Sequence, residues 1–204
     1  TTPSALTVQD YQQAGIANVS VDNLAAVNAQ VLNTTTGNAD TVPEIASLVD
    51  AANQSLAKIE AYNNGNGYTP AALSIQDYID AGITGVSPEN LAAVNVQVLD
   101  SALGEADTVA EIQSKVSAAN DALAKIEAFN NGDGISPAPL TLQDYHSAGV
   151  TGVSDDNLLA VNAQVLASAS GEPDSVAQIQ SKVTAANSAL TKIEAYNNGD
   201  GTSP

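Results

Sequence analysis

The segment Asn-Asn-Gly-Asp-Gly at residues 130–134 places oxygen-bearing side chains at a spacing that could bind a cation. An EF-hand loop has oxygen ligands at positions 1, 3 and 5, before a glycine at position 6. Counting back from Gly134, Asp133 and Asn131 fit positions 5 and 3, but position 1 is Phe129. No acid follows where the bidentate ligand belongs, so the pattern predicts half of a calcium loop.

Two acids next to this segment, Glu127 and Asp144, complete the set of candidate calcium ligands. The alternative is that the segment only ends a helix, since glycine readily adopts the positive φ found at helix C-termini. The equivalent segment at residues 63–67 has Asn66 in place of Asp133, which removes one charge. Two interpretations therefore stay open: the chain needs no cofactor, or it binds calcium at this joint.

Serine, threonine and carboxylate side chains are abundant in this chain, but the groups that would complete a nucleophile–base pair are not. His146 is the only histidine, and the equivalent residues are Gln12 and Ile79, so we expect it to be a solvated helix residue. Cysteine is absent, and without a second histidine or a cysteine no nucleophile–base pair can form. The carboxylates are distributed over helix faces and helix starts instead of forming pairs. We therefore expect no enzymatic activity.

Asn95, with its equivalents Asn28 and Asn162, lies inside the apolar stripe of a predicted helix. It could be a ligand group in a groove. The more ordinary interpretation is a buried amide that bonds to the backbone of a loop, because buried polar groups are nearly always hydrogen-bonded.

The whole chain is built from tandem repeats of constant length. Leu6, Leu73 and Leu140 correspond, and their numbers give the period as 73 − 6 = 140 − 73 = 67. This period exceeds the roughly 20–50 residues of ordinary solenoid repeats and is at the low end for a domain that folds alone. We predict three domains, at residues 1–67, 68–134 and 135–204. Both ends of the chain fall inside the joint sequence, so we expect a longer parent array.

The middle repeat shows which helices to expect. Ser74 and Asp77 form a capping box that opens a short helix, and Ser87-Pro88-Glu89 is a start signal for a second helix ending near Gly104. A capping box at residues 108–111 opens a third helix that ends at residues 130–131. The predicted core residues share helical spacing; they are Leu91, Val94, Val98, Ile112, Val116, Leu123 and Ile126.

The predicted fold class is thus all-α, with three tandem three-helix bundles, one for each repeat. The glycine-rich joints, each followed by a proline, favour separate bundles on short linkers with no core shared between them. Because three helices run up, down and up, a repeat ends opposite the side where it began. That topology suits a spacer.

The net charge of −18 comes from five Lys and 23 acidic residues. Nucleic acids and anionic membranes are bound by clusters of Lys or Arg, so we expect neither as a partner. No apolar run is long enough to cross a membrane, and we expect no membrane insertion. The partners that remain are neighbouring repeats of the same chain, or a protein ligand of unknown identity.

Several motifs together resemble the helical tandem repeats of giant bacterial surface proteins, including adhesins. They are Leu-Thr-Leu-Gln-Asp-Tyr (140–145), Val-Thr-Gly-Val-Ser (150–154), Asn-Leu-Leu-Ala-Val-Asn (157–162) and the Asn-Asn-Gly-Asp-Gly joint. The resemblance covers all three repeats and implies an extracellular stalk on the bacterial cell surface, with adhesive domains elsewhere in the parent protein. The outline is also similar to the three-helix albumin-binding module of Gram-positive surface proteins, at the level of fold only.

Two hypotheses for function follow. The first is a structural extender that spaces the adhesive domains of a surface adhesin from the cell. The alternative is a repeated helical binding module that recognises a host or matrix protein. An exposed apolar patch present in every repeat would favour binding, whereas uniformly acidic faces would favour the spacer.

Overall fold

The computed structural model describes residues 4–65, 71–132 and 138–199. Over these ranges the chain forms nine α-helices and no strand, which confirms the all-α prediction. The helices are α1 (Val8–Gln13), α2 (Leu24–Asn33), α3 (Val42–Asn64), α4 (Ile75–Asp80), α5 (Leu91–Leu99), α6 (Val109–Asn131), α7 (Leu142–Ser147), α8 (Leu158–Leu166) and α9 (Val176–Asn198). A short, a medium and a long helix thus follow one another in each repeat.

The short and the long helices begin at capping boxes. In each box the N-cap side chain accepts the backbone N–H of the third helical residue, and that residue's side chain accepts the N-cap N–H. The boxes of the short helices are Thr7 with Asp10, Ser74 with Asp77, and Thr141 with Asp144. Those of the long helices are Thr41 with Glu44, Thr108 with Glu111, and Ser175 with Gln178. The boxes predicted at residues 74–77 and 108–111 are confirmed.

The long helices end where the joint sequence predicts. Helix α3 ends at Asn64, and the next residue, Gly65, has a φ of 52°. Helix α6 ends at Asn131 in the same way. A left-handed glycine stops a helix because the backbone turns away from the helical path at little steric cost.

The prediction for the middle helix was wrong at both ends. Helix α5 starts at Leu91, after a turn at residues 88–90, and it ends at Leu99, before Gly104. The third repeat shows why the start is delayed: Oδ1 of Asn157 accepts the N–H of Ser154 and its Nδ2 donates to the carbonyl of Gly152. This side chain holds a turn closed at the point where the helix was expected to begin.

The chain forms two compact units. The first comprises Thr1–Ser87 and Val98–Val116, and the second comprises Pro88–Gln97 and Ser117–Pro204. In the first unit α4 packs on α2 and α3, and in the second α8 packs on α9. One unit boundary falls just before α5, at Ser87, and the other two fall within α5 and α6, so they do not follow the repeat period. The division into domains at 1–67, 68–134 and 135–204 stays a prediction.

Most of the predicted core is confirmed in the middle repeat. Leu91 is half-buried, and the other predicted core residues are buried: Val94, Val98, Ile112, Val116, Leu123 and Ile126. The expectation that the equivalent residues are buried in every repeat was wrong for α9. There Leu190 and Ile193 are 37% and 67% exposed. No helix within the described ranges is long and apolar enough to span a membrane.

Candidate functional site at the repeat junctions

The first junction joins the first and second repeats within the first compact unit. Gly82, just after α4, lies so close to α2 that an added Cβ would be 2.7 Å from the carbonyl oxygen of Ala25 and from the Cα of Ala26. Gly82 also has a φ of +73°, a conformation that residues with a side chain rarely adopt. The second repeat therefore rests directly on the backbone of the first.

Side chains of the first repeat hold both ends of α4. Nζ of Lys58, on α3, pairs with Oδ1 of Asp77 in the first turn of α4 at 2.5 Å. Nε2 of Gln30, on α2, donates to the carbonyl of Asp80 at 2.8 Å. The last carbonyls of a helix have no partner within the helix, so Gln30 supplies one that α4 itself cannot.

A buried asparagine at the end of α3 makes the third contact. Nδ2 of Asn63 donates to the carbonyls of Val98 and Ser101, at 2.8 and 3.0 Å. These acceptors lie at and just beyond the end of α5. The first repeat thus supplies a hydrogen-bond donor where α5 stops and its last carbonyls lack helical partners, and the carbonyl of Val98 also accepts the N–H of Ser101. Oδ1 of Asn63 is buried and has no hydrogen-bond partner among the described residues.

The start of α6 is also tied to the first repeat. The backbone N–H of Val109 donates to the carbonyl of Asp22, which precedes α2, at 3.3 Å. This N–H is one of the first in α6, where the helix offers no acceptor of its own. All three helices of the second repeat are thereby anchored to the first.

The second junction, within the second compact unit, reproduces every one of these contacts one repeat further along the chain. They are Gly149 against Ala92 and Ala93, Gln97 with the carbonyl of Ser147, Lys125 with Asp144, Asn130 with the carbonyls of Val165 and Ser168, and Val176 with the carbonyl of Glu89. A Cβ on Gly149 would lie 2.6 Å from α5 backbone atoms. The junction is therefore a defined interface and not a flexible linker contact.

This finding differs from the expectation of separate bundles with no shared core. Leu73 and Ala81, which flank α4, are buried, whereas their equivalents in the first repeat, Leu6 and Ala14, are exposed. Burying apolar surface is favourable wherever two such faces can meet. Consecutive repeats meet in this way at both junctions.

The junction carboxylates have lowered pKa values. Burial by itself would raise the pKa of Asp77, but hydrogen bonds from Lys58 and Ser74 outweigh it and hold the pKa below the ordinary value. The pKa of Asp144 is lowered by the same balance, with Lys125 and Thr141 as the donors. Both aspartates are therefore ionised at neutral pH and available to their lysines.

In the first and third repeats a buried tyrosine links the short helix to the medium helix that follows it. The hydroxyl of Tyr145 donates to Oδ1 of Asn162 at 2.6 Å, and Nδ2 of Asn162 donates to the carbonyl of Leu140 at 2.9 Å. Burial raises the pKa of Tyr145, which keeps the hydroxyl protonated as a donor. Asn28 makes the equivalent pair of bonds in the first repeat. The interpretation of these asparagines as buried amides bonded to loop backbone is confirmed for Asn162, whereas Asn28 makes the same bonds but is only half-buried.

The candidate calcium ligands are only partly brought together. Nδ2 of Asn131 lies 3.5 Å from Oε1 of Glu127, and Oδ1 of Asn131 accepts from the hydroxyl of Ser170 at 3.0 Å. Asp144 is engaged elsewhere: Oδ1 pairs with Lys125, and Oδ2 accepts from the backbone and hydroxyl of its N-cap.

The remaining ligand, Asp133, lies outside the described residues. Among the described residues, His, Asp and Glu side chains form no group of three or more that could hold a metal ion. Calcium binding at this joint stays a prediction, and with Asp144 as a ligand it requires displacement of Lys125.

His146 is exposed on α7, as expected. It borders an open concavity of about 440 Å³, whose other lining residues are Leu142, Gln143, Val150, Thr151, Gly152 and Val153. None of these lining residues is a carboxylate that could orient the imidazole. The surface offers van der Waals contact and amide hydrogen bonds, but it has no acid–base pair.

Sequence reasoning missed the junction residues Gly82, Gln30 and Asn63. Each is present at the equivalent position in all three repeats, but so are many residues without a special role. Repetition alone therefore carried no signal. The informative property, contact with the adjacent repeat, is visible only in three dimensions.

Comparison of the chain with protein-family models, curated proteins and solved structures finds no match.

Proposed function

We propose that this chain is an extender segment of a large bacterial cell-surface adhesin. In this proposal, three tandem three-helix bundles, one for each repeat, act as a stalk outside the cell and keep adhesive domains at a distance from it. The neighbouring repeat is the partner of each repeat, and the segment itself carries out no chemistry.

The observation that supports the proposal best is the recurrence of the junction contacts. Lys58 with Asp77 and Lys125 with Asp144 are equivalent pairs, as are Asn63 with Val98 and Asn130 with Val165. A repeat that docks on the preceding one through the same contacts each time is a means of adding length in equal steps. A catalytic or ligand-binding domain has no need of this regularity.

The surface charge agrees with such a role. With a net charge of −18, the chain repels other acidic surfaces and stays soluble at high local density. The repulsion is screened at the ionic strength of salty surroundings, where the Debye length falls to a few ångströms.

One observation bears on the alternative of a repeated binding module. Each medium helix has an exposed leucine at or next to its last residue: Leu32, Leu99 and Leu166 are 63%, 40% and 52% exposed. Among the described residues, these leucines are the only large exposed apolar feature that recurs in every repeat. Such a feature would favour a protein ligand over the spacer. A single exposed leucine per repeat is common on protein surfaces and is much smaller than a typical binding patch. The spacer is therefore the better supported function.

The proposal is tested by small-angle X-ray scattering on covalent fusions of one, two and three copies of the 204-residue chain at low concentration. We expect the maximum dimension to grow by a constant increment of about 30–40 Å per repeat, roughly the length of one long helix. The matched control replaces the junction glycines, as Gly82→Val and Gly149→Val, and should give a broader distribution of dimensions. A maximum dimension that does not increase with copy number would exclude the spacer function.

A further inference from the structure

The third repeat exposes a surface that is buried in the first two. On α9, Leu190, Ile193 and Tyr196 are 37%, 67% and 85% exposed. The six equivalent side chains are at most 8% exposed: Leu56, Ile59, Tyr62, Leu123, Ile126 and Phe129. Asn197 is likewise exposed, whereas Asn63 and Asn130 are buried. We call this surface, defined by Leu190, Ile193, Tyr196 and Asn197, the C-terminal face.

The first repeat exposes the complementary surface. Leu6 is 43% exposed, whereas Leu73 and Leu140 are almost fully buried. Ala14 is exposed, and a Cβ on Gly15 would meet no atom within 4 Å. At both internal junctions the equivalent glycine is pressed against the preceding repeat. We call the surface defined by Leu6, Ala14 and Gly15 the N-terminal face.

The polar groups of the junction are also present on these two faces. Lys192 on α9 is the equivalent of Lys58 and Lys125, and Asp10 on α1 is the equivalent of their partners. Gln164 and Asn197 are the donors that correspond to Gln30 and Asn63. Their acceptors in the first repeat are the backbone carbonyls of Gln13, Val31 and Thr34, which any residue type supplies.

One substitution distinguishes the C-terminal side from the internal junctions. Leu159 stands where the first two repeats have Ala25 and Ala92. Gly82 and Gly149 approach the backbone at those positions, and the Leu159 side chain is 83% exposed. A larger side chain there leaves the approached backbone atoms in place.

From these observations we infer that the C-terminal face binds the N-terminal face of a second copy of this chain, through the contacts of the internal junctions. The interface is heterologous: each copy uses a different surface, so one copy can bind two others and chains of copies form. The occupant is identified by continuity with the internal junctions, in which this face is already covered by a repeat of the same sequence. The inference does not depend on the proposed function.

Association between separate molecules should be weaker than docking within one chain. Covalent linkage provides an effective concentration of about millimolar, which separate copies lack. Repulsion between two chains of charge −18 opposes association further unless salt screens it. We therefore expect self-association to develop between micromolar and millimolar protein at physiological salt.

The test is sedimentation velocity of the 204-residue chain over this concentration range. Ile193→Glu inactivates the C-terminal face and Leu6→Glu inactivates the N-terminal face. Leu103→Glu is the matched control, because Leu103 is 75% exposed and lies on neither face. Tyr196→Ser is a second variant of the C-terminal face, and circular dichroism establishes that each variant is folded.

We expect the mean mass of the unmodified chain and of Leu103→Glu to rise with concentration, while each face variant alone stays monomeric. A mixture of Ile193→Glu and Leu6→Glu retains one intact face of each kind, so it should form a 1:1 dimer and nothing larger. The inference is overturned if the unmodified chain stays monomeric throughout, if the mixture does, or if the control abolishes association.

Discussion

Gly82 and Ala25 lie in contact through their backbones, with no space for a side chain between them. Gly149 and Ala92 have the same relationship at the second junction. Close approach of this kind brings α4 and α7 down onto the preceding repeat, so that Gln30 and Lys58 can reach the two ends of α4. A residue without a side chain thus determines how one repeat sits on another.

Replacing this glycine should loosen the first junction. Gly82→Ala places an alanine in the left-handed backbone conformation, which costs about 1–2 kcal/mol. The new methyl group also clashes with the α2 backbone, and such overpacking typically costs about 1–3 kcal/mol. Gly15→Ala is the matched control, since Gly15 has a similar φ of +76° but nothing within 4 Å. We expect the urea midpoint to fall further for Gly82→Ala. Equal shifts in the two variants would show that the close approach contributes nothing to stability.

The buried asparagine of the second junction should be intolerant of a negative charge. Asn130→Asp replaces a donor by a carboxylate facing the carbonyls of Val165 and Ser168, and we expect a loss of roughly 2 kcal/mol or more. Asn197→Asp makes the same change at the exposed equivalent position, where surface substitutions usually cost within about 0.5 kcal/mol. Chemical denaturation of both variants at low protein concentration measures the difference. Similar losses would mean that the hydrogen bonds of Asn130 do not stabilise the junction.

Acid should weaken the junctions through their aspartates. The pKa of Asp144 is lowered in the folded state, so its contribution to stability is present above its unfolded pKa and is lost as pH falls through the folded value. Lys125→Met removes one cause of the lowered pKa of Asp144. It should therefore reduce the loss of stability on acidification below about pH 4. Lys192→Met carries the same charge change on α9 and serves as the control. Unfolding free energies between neutral pH and about pH 2 test this, and identical curves for the two variants would contradict it.

Calcium binding at the joint can be separated from simple screening. If Glu127, Asn131 and Asp133 bind calcium, millimolar calcium should raise the melting temperature of the chain beyond the effect of sodium chloride at equal ionic strength. Asp133→Asn should reduce that increase, because it removes a charged ligand. An increase that sodium reproduces in full would identify screening as its cause, and no increase would eliminate the calcium hypothesis.

Features that depend on residues close in sequence were predicted well. The capping boxes at Ser74 and Thr108, the glycine that ends each long helix, and the buried stripe containing Val94 and Ile126 were all recognisable in advance. The end of α5 was not, because the carbonyl of Val98 near this end is bonded by Asn63, 35 residues earlier in the chain. A stop signal read from neighbouring residues cannot include a partner from another repeat.

Ile126 and Ile193 show where sequence stops being informative. Both lie in the segment Lys-Ile-Glu-Ala at the same position of the long helix, yet one is fully buried and the other is 67% exposed. By itself, the sequence determined the repeat period, the all-α class and the face of each long helix that is apolar, since these follow from spacing and local backbone preference. Only the tertiary structure decided which of those faces are covered, because burial depends on the repeat that packs against them and not on the residues alongside them.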